Sequence, residues 1–158
     1  MHRLTKDQWA MHLVDVTANR STCLSRQVGC ILTDIRGHVL ATGYNGAASG
    51  LPHCTDTGVC YKSGFPSGLG LDHCVATHAE QNALLQCHDV YKIHTVYVSV
   101  SPCVTCTKLL MNTSAKRIVF RNVYPHTLSK DLWCHKDIQG RSWERFQNGE
   151  IVEISYSG

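Results

Sequence analysis

The first twenty residues have the spacing of apolar positions that is typical of an amphipathic helix. Between residues 5 and 19, Trp9, Leu13 and Val16 recur three or four positions apart, so we expect them to face the protein interior. Thr5 is followed three residues later by a glutamine, which is the pattern of an N-terminal capping box. The pattern therefore predicts a scaffold helix over residues 5–19.

Two short apolar runs follow, at residues 28–33 and 38–43. The turn signal Arg36-Gly37 lies between them, so the three segments together predict a β-hairpin. Asn45-Gly46 comes directly after the second run and is a strong turn signal, which favours a tight turn at the end of the hairpin.

The second half of the chain alternates between helical and strand patterns. The elements predicted there are a helix from residue 74 or 75 to about 88, a strand at 95–100, a helix to about 113 and a strand at 117–120. This β-α-β-α-β progression implies helices packed on a mixed sheet. The less regular tail predicts short helices at 127–135 and 141–147, a stop at 148–149 and a final strand at 151–154.

Composition and charge narrow the class of protein. A chain of 158 residues with 43% hydrophobic residues is expected to form one domain, residues 1–158, around its own core. No apolar run approaches the roughly 20 residues of a membrane span, and the first residues lack the apolar stretch of a signal peptide, so we expect a soluble cytoplasmic protein. The net charge of +3 comes from scattered basic residues, which argues against a polynucleotide partner and permits a small anionic substrate.

The strongest chemical signal is a pair of motifs on either side of the predicted strand 95–100. His78-Ala79-Glu80 precedes the strand, and Pro102-Cys103 with Cys106 follows it, which together give HxE…PCxxC, the signature of the zinc deaminases. One imidazole and two thiolates make a three-ligand zinc site with a fourth position left for water. Glu80 is close enough to act as a proton carrier without being a ligand.

A structural zinc site is the alternative interpretation of these cysteines. A closed site needs a fourth protein ligand, and neither predicted helix offers an obvious one. The catalytic interpretation is therefore preferred.

Residues 47–75 carry little regular pattern but contain Cys54, Cys60, His73 and Cys74. A loop of this length inside a compact domain is uncommon unless it is functional or held in place. Nine cysteines in a chain without a signal peptide favour metal binding or buried thiols over disulfides. We therefore predict that a metal holds this segment, with a mobile insertion as the alternative.

Four stretches of this sequence resemble the deoxycytidylate deaminases. They are RSTCLSRQVGCILTD, ATGYNGAASGLPHC, HAEQNALLQ and SPCVTC, within a similarity that spans about residues 4–125. The resemblance implies an α/β fold with three layers (α/β/α) and a central five-stranded mixed sheet. It implies zinc-dependent conversion of dCMP to dUMP and ammonia, which supplies dUMP for thymidylate synthesis. Ala47-Ala48 and Cys30 depart from the family pattern in minor ways.

The resemblance also implies roles for individual residues. Glu80 is the catalytic proton carrier, and the catalytic zinc ligands are His78, Cys103 and Cys106. The substrate-binding positions are Ser25 and Arg26 at the 5′-phosphate, Asn45 at the sugar hydroxyl, and Ala79, Tyr124 and His126 around the pyrimidine. Three alternatives stay open: Asn45 as a turn residue with positive φ, Arg26 as a solvated loop residue and Tyr124 as a core ring.

A second zinc ion is expected because Cys23 stands where some relatives have a metal ligand. With Cys54, Cys60 and His73 it would complete a Cys3His set for a closed structural site, and Cys74 is the alternative fourth ligand.

Regulation is implied by the resemblance alone. The relatives are usually homohexamers that are activated by dCTP with Mg²⁺ and inhibited by dTTP. The effector would contact the turn formed by Gly43, Tyr44, Asn45 and Gly46.

Two other functions compete with deamination of dCMP: a polynucleotide cytosine or adenine deaminase, and a zinc-stabilised nucleotide-sensing module without turnover. The first would need more aromatic and basic surface, and the second would have no need of Glu80.

Overall fold

The computed structural model describes residues 2–60 and 76–158. Its elements in chain order are α1 (Lys6–Ala18), β1 (Gly29–Thr33), β2 (Val39–Tyr44), β3 (Gly46–Ala47), α2 (Cys54–Thr57), β4 (Ala76–Thr77), α3 (Ala79–Gln86), a 3₁₀ turn (Val90–Lys92), β5 (Thr95–Val100), α4 (Val104–Met111), β6 (Arg117–Asn122), α5 (Leu128–Trp133), β7 (Ser142–Gln147) and β8 (Glu150–Tyr156).

Six strands form one mixed sheet in the order β2-β1-β5-β6-β7-β8. β5, β6 and β7 run parallel to their neighbours in that group, and the remaining pairings are antiparallel. The small β3–β4 ribbon forms a second sheet. Because α4 and α5 connect the parallel strands, the loops after β5 and β6 meet at one edge of the sheet, next to the start of α4.

The sheet has a hydrophobic core on each face, as expected for a three-layer α/β/α fold. α3, α4 and α5 contribute to the larger core, which includes Ala83, Leu110 and Trp133. α1 covers the opposite face with Met11 and Val14. Strands that are buried on both faces show continuous apolar runs, which explains the nearly unbroken burial of β5.

Two glycines let a helix lie directly against the hairpin of β1 and β2. A Cβ on Gly43 would stand 2.3 Å from the carbonyl oxygen of Ala79 and 2.4 Å from the nitrogen of Ala83, both in α3. A Cβ on Gly29 would stand 2.3 Å from the carbonyl oxygen of Val14 in α1. The hairpin is therefore held between two helix backbones, and α3 is the one that begins at the candidate site.

The predicted five-stranded sheet is wrong by one strand. Residues 142–147, predicted as a helix, form β7, and Asn148-Gly149 is the hairpin turn that joins it to β8, with φ values of 53° and 84°. Trp143 and Phe146 are three residues apart, which suits one face of a helix. In the strand they enter opposite cores instead, with a register shift between Arg145 and Phe146.

The predicted inward stripe of α1 is wrong at Trp9 and Val16, whereas Leu13 packs against the core and the helix and the capping box at Thr5 are confirmed. Trp9 is 41% exposed and Val16 is 66% exposed. Ala10, Met11 and Val14 face inward instead, and the backbone of Val14 and Ala18 lies directly on Gly29 of β1.

Two boundaries near the predicted site differ from expectation. Asn45 and Gly46 do not have positive φ, so they form no tight turn, and the chain continues into β3, where Gly46 pairs with Thr77 of β4. The predicted helix start at residue 74 or 75 is wrong, because β4 occupies residues 76–77 and α3 begins at Ala79.

Within the described residues, none of the helices has the length and apolar character needed to span a bilayer.

Candidate active site

Three sulfur and nitrogen atoms from the predicted catalytic motif come together at the starts of α3 and α4. The Nδ1 atom of His78 lies 3.5 Å from the sulfur of Cys103 and 3.3 Å from the sulfur of Cys106. The three ligand atoms lie within 4.8 Å of one another, and both cysteines are buried. This spacing brings one imidazole and two sulfurs around a common point.

Local helix-capping geometry places each of these ligands. His78 is the N-cap of α3, and its backbone N–H donates to the Oε1 atom of Gln81 over 2.9 Å. Cys103 is the N-cap of α4, and its sulfur accepts from the backbone N–H of Cys106 over 3.5 Å. Two helix N-termini therefore converge on the ligand set, and their dipoles favour negative charge there.

The two thiols share a hydrogen bond that separates their acidities. That bond from Cys106 lowers the pKa of Cys103 to about 4, with further lowering from His78 and from the Cys106 backbone. The same bond, with burial, raises the pKa of Cys106. The lowered pKa favours the thiolate form of Cys103, which is the form in which cysteine binds a metal.

The donor set suits zinc. One imidazole nitrogen and two sulfurs match the soft ligands that zinc prefers, and three protein ligands leave a position for water. The described residues offer no fourth member of this group, which fits a catalytic rather than a closed structural site.

Glu80 is buried behind these ligands, only 5% exposed, in the first turn of α3. Burial raises its pKa, the charge of Cys103 adds to the rise, and His78 opposes it. The contact with Cys106 lowers the pKa of Glu80 by a smaller amount. Cys30 lies close beneath, and burial, together with the charge of Glu80, keeps the pKa of its thiol well above the usual range. Glu80 is thus a carboxyl group in contact with the ligand set and able to hold a proton.

The loop after β6 brings Tyr124 and His126 to the same edge of the sheet. The backbone N–H of Tyr124 donates to Ser101 Oγ over 2.7 Å, and its ring meets that of His126 edge-on at 5.7 Å. Burial raises the pKa of Tyr124, the charge of Cys103 adds to this and that of Arg26 opposes it. The Tyr124 hydroxyl is buried without a hydrogen-bond partner among the described residues, and the ring is not fully enclosed in the core.

The opposite wall consists of the segment from β2 into β3 and the loop before β1. Asn45 is buried, and its side chain bonds to that loop, whereas Ser25 and Arg26 are exposed on it. Ala79 is the first residue of α3, beside the ligand His78. Of the predicted substrate positions, Ala79 adjoins the ligand set, and the roles of all of them stay predictions.

The second metal site stays a prediction. Cys23 and Cys54 are both buried, and the N–H of Thr55 donates to the carbonyl of Thr22, so their segments are adjacent. Together with Cys60 they form no three-ligand group within the described residues, and His73 and Cys74 lie outside those residues.

The predicted effector segment, residues 43–46, packs against α3. Gly43 gives α3 room to approach, and the side chain of Asn82 donates to the carbonyl of Tyr44 over 2.8 Å. Gly46 belongs to β3. A movement of this segment would therefore displace α3 or break its contacts with the segment.

Four residues that touch the site were missed by the sequence analysis. They are Ser21, Gln81, Asn82 and Ser101. Gln81 bonds back to the N-cap backbone as in a capping box, but the sequence signature has serine or threonine at the position of His78, so it gave no clear signal. The other three act through contacts between distant segments, for which the sequence carries no local pattern.

Comparison with known proteins gives a consistent family. A model of the cytidine and deoxycytidylate deaminase zinc-binding region matches residues 4–122. Deoxycytidylate deaminase of Schizosaccharomyces pombe is 37% identical over 131 residues, covering 78% of this chain and 40% of that protein. The enzyme of Mycobacterium phage D29 is 35% identical over 128 residues, covering 76% of this chain and 97% of that protein. The chain spans about two fifths of the length of the two yeast relatives that it matches.

A solved structure has the same architecture. The dCMP deaminase of cyanophage S-TIM5, in complex with dCMP and dUMP, superposes with a TM-score of 0.69 at 25% identity, and the match covers 92% of this chain and all of that one.

Proposed function

The chain belongs to the cytidine and deoxycytidylate deaminase family, and on that premise we propose that it hydrolyses dCMP to dUMP and ammonia. The observation that carries the proposal is the convergence of His78, Cys103 and Cys106 with the buried carboxyl group of Glu80. Relatives named as deoxycytidylate deaminases, and a cyanophage neighbour solved with dCMP and dUMP, support this choice of substrate.

Residues at the two helix starts divide the work. His78, Cys103 and Cys106 would hold zinc, which when bound supplies a Lewis acid that makes water acidic at neutral pH. Glu80 takes a proton from the attacking water and delivers it to N3 of the pyrimidine as the water oxygen bonds to C4. It then passes the second proton from that oxygen to the amino group, so that the C4–N bond breaks, C4 becomes a carbonyl and ammonia leaves. Its raised pKa suits a group that must both accept and release a proton.

Arg26 gives the site its preference for a nucleotide over a nucleoside. Arg26 is exposed on the loop before β1, and its backbone carbonyl is held by Asn45, so its guanidinium is free to pair with a 5′-phosphate. Replacement of Arg26 by alanine is expected to erode the preference for dCMP over deoxycytidine and to leave the slow reaction on deoxycytidine unchanged. Equal loss on both substrates would show that Arg26 only supports the loop.

The proposal includes regulation of a homohexamer by nucleoside triphosphates. Activation by dCTP with Mg²⁺ and inhibition by dTTP would act through Gly43, Tyr44, Asn45 and Gly46, and the packing of this segment on α3 supports a physical connection to the site. Effector coupling is typically worth about 1–3 kcal/mol. Sigmoidal dCMP kinetics should become hyperbolic with dCTP and Mg²⁺. Hyperbolic kinetics in an oligomeric preparation, indifferent to both triphosphates, would remove this part of the proposal.

One assay tests the activity itself. Ammonia release is measured side by side from dCMP, deoxycytidine, dCTP and oligo-dC, with zinc-loaded protein. The proposal expects the fastest turnover on dCMP. Preference for oligo-dC would instead favour a polynucleotide deaminase, and no turnover on any of the four would favour a nucleotide-sensing module.

A further inference from the structure

The side chain of Asn45 fastens the loop that precedes β1. Its Oδ1 atom accepts from the hydroxyl of Ser21 over 2.5 Å and from the backbone N–H of Val28 over 2.9 Å. Its Nδ2 atom donates to the carbonyl of Arg26 over 2.6 Å. The backbone N–H of Asn45 adds a bond to the carbonyl of Val28 over 3.2 Å. One amide thus connects three points of a loop of about eight residues.

Backbone groups fix the direction of each of these bonds. The N–H of Val28 can only donate and the carbonyl of Arg26 can only accept, so the amide of Asn45 has a single orientation. Oδ1 is therefore an acceptor, and the Ser21 hydroxyl must donate to it. The lone pairs of Ser21 then accept the backbone N–H of Cys23 over 3.2 Å. Ser21 and Asn45 are both buried, at 6% and 9% exposure.

This arrangement uses most of the bonding capacity of the amide. Both lone pairs of Oδ1 are taken, and only one hydrogen of Nδ2 remains for a ligand. The main role of Asn45 in this structure is therefore to hold the loop. Arg26 is the exposed basic residue of this loop, and its backbone carbonyl accepts a hydrogen bond from the same Asn45 amide.

We propose that Ser21 and Asn45 form a clamp that positions Arg26 for the 5′-phosphate of the substrate. Ser21 is thus a positioning residue for phosphate selectivity, although its buried hydroxyl is occupied by Asn45 and Cys23. The inference rests on the proposed function and deepens it: Asn45 serves phosphate recognition through the loop, in addition to any contact with the sugar.

A double-mutant cycle tests the clamp. Ser21→Ala, Arg26→Ala and the double variant are assayed for kcat/KM on dCMP and on deoxycytidine. Ser21→Ala should lower the value for dCMP roughly tenfold, less than the ~10²-fold that a full 1 Å misplacement costs, and change the value for deoxycytidine less than about twofold. In the Arg26→Ala background the same substitution should have no further effect on either substrate.

Thr22→Val is the matched control. The hydroxyl oxygen of Thr22, on the neighbouring residue, is buried and has no hydrogen-bond partner within the described part of the chain, so its removal should leave the selectivity unchanged. If Ser21→Ala does not fold, Ser21→Cys, which keeps the volume and weakens the donor, goes through the same cycle.

The outcomes separate the clamp from the activity. Suppose that the wild type turns over dCMP. If Ser21→Ala then loses activity equally on both substrates, or if the effects of Ser21→Ala and Arg26→Ala are independent, the clamp is overturned and the proposed function stands. Absence of wild-type turnover on dCMP would overturn the proposed function, and the assignment of Ser21 would fall with it.

Discussion

Replacing Gly43 with alanine should lower the catalytic rate by displacing α3, although Gly43 itself is not a zinc ligand or a proton carrier. The new Cβ would stand 2.3 Å from the carbonyl oxygen of Ala79, whereas ordinary contact begins near 3.4 Å, so α3 must retreat by about 1 Å. The atoms in the way belong to the helix backbone and cannot rotate aside. Because His78 caps this helix and Glu80 lies in its first turn, both move with it. A shift of that size costs on the order of 10²-fold in rate.

The loss of stability should be smaller than the loss of rate. Extra volume in a packed core typically costs about 1–3 kcal/mol, which leaves a domain of ordinary stability folded. The measurement is kcat/KM for dCMP per folded, zinc-loaded molecule, with the folded fraction taken from urea unfolding followed by circular dichroism.

Gly29→Ala is the control on the opposite face of the same hairpin. Its Cβ would meet the carbonyl oxygen of Val14 at the same 2.3 Å, but the helix that must move is α1, which carries none of the predicted site residues. It should lose comparable stability and less activity than Gly43→Ala, most clearly on deoxycytidine, because α1 leads into the loop of Ser21 and Arg26 and not into the ligand set. If Gly43→Ala retains near wild-type activity, or if both variants lose activity equally, the argument from the displacement of α3 is wrong.

Three further outcomes follow from the structure. Glu80→Gln should keep its zinc, because Glu80 is not a ligand, and lose about 10²–10⁴-fold in turnover; near-normal ammonia release would exclude Glu80 as the proton carrier. Metal analysis should give about two zinc ions per chain if the predicted second site exists, and a value near one would count against it. Arg117 makes paired bonds to Asp7 and to the buried Glu144, so Arg117→Met should cost about 3 kcal/mol in urea unfolding. Burial raises the pKa of Asp7, but bonds from Arg117 and Tyr97 outweigh it and bring the net value below 3.8. The wild type should therefore keep this contribution above pH 3.8 and lose it as the pH falls further, whereas an equally acid-sensitive Arg117→Met would contradict this account.

The catalytic motif could be predicted from sequence because its members are local. His78 and Glu80 are two residues apart, Cys103 and Cys106 are three apart, and strand β5 between them is a plain apolar run. The alternation of strands and helices predicted helices packed on a mixed sheet, and the three-layer arrangement that the resemblance implied is confirmed.

The errors arose where tertiary contacts override local patterns. Trp143 and Phe146 have helical spacing, yet they serve two different cores from one bulged strand. Asn45 resembled a turn residue because its neighbour is glycine, but its side chain is used by a loop about 20 residues earlier. Periodicity reports which face of an element is apolar and says nothing of a partner that is distant along the chain.

The pairing of β1 with β5 has a consequence for the order of folding. Ile31 and Tyr97, opposite each other in this pair, are roughly 66 residues apart in sequence, and closing so long a loop is slow. His78 lies before β5 in the sequence, and Cys103 and Cys106 lie after it. A metal ion that arrives early therefore meets two cysteines without their histidine. During refolding, the acquisition of tight metal binding should mark the moment when the two parts of the chain dock, later than the formation of helices in either one.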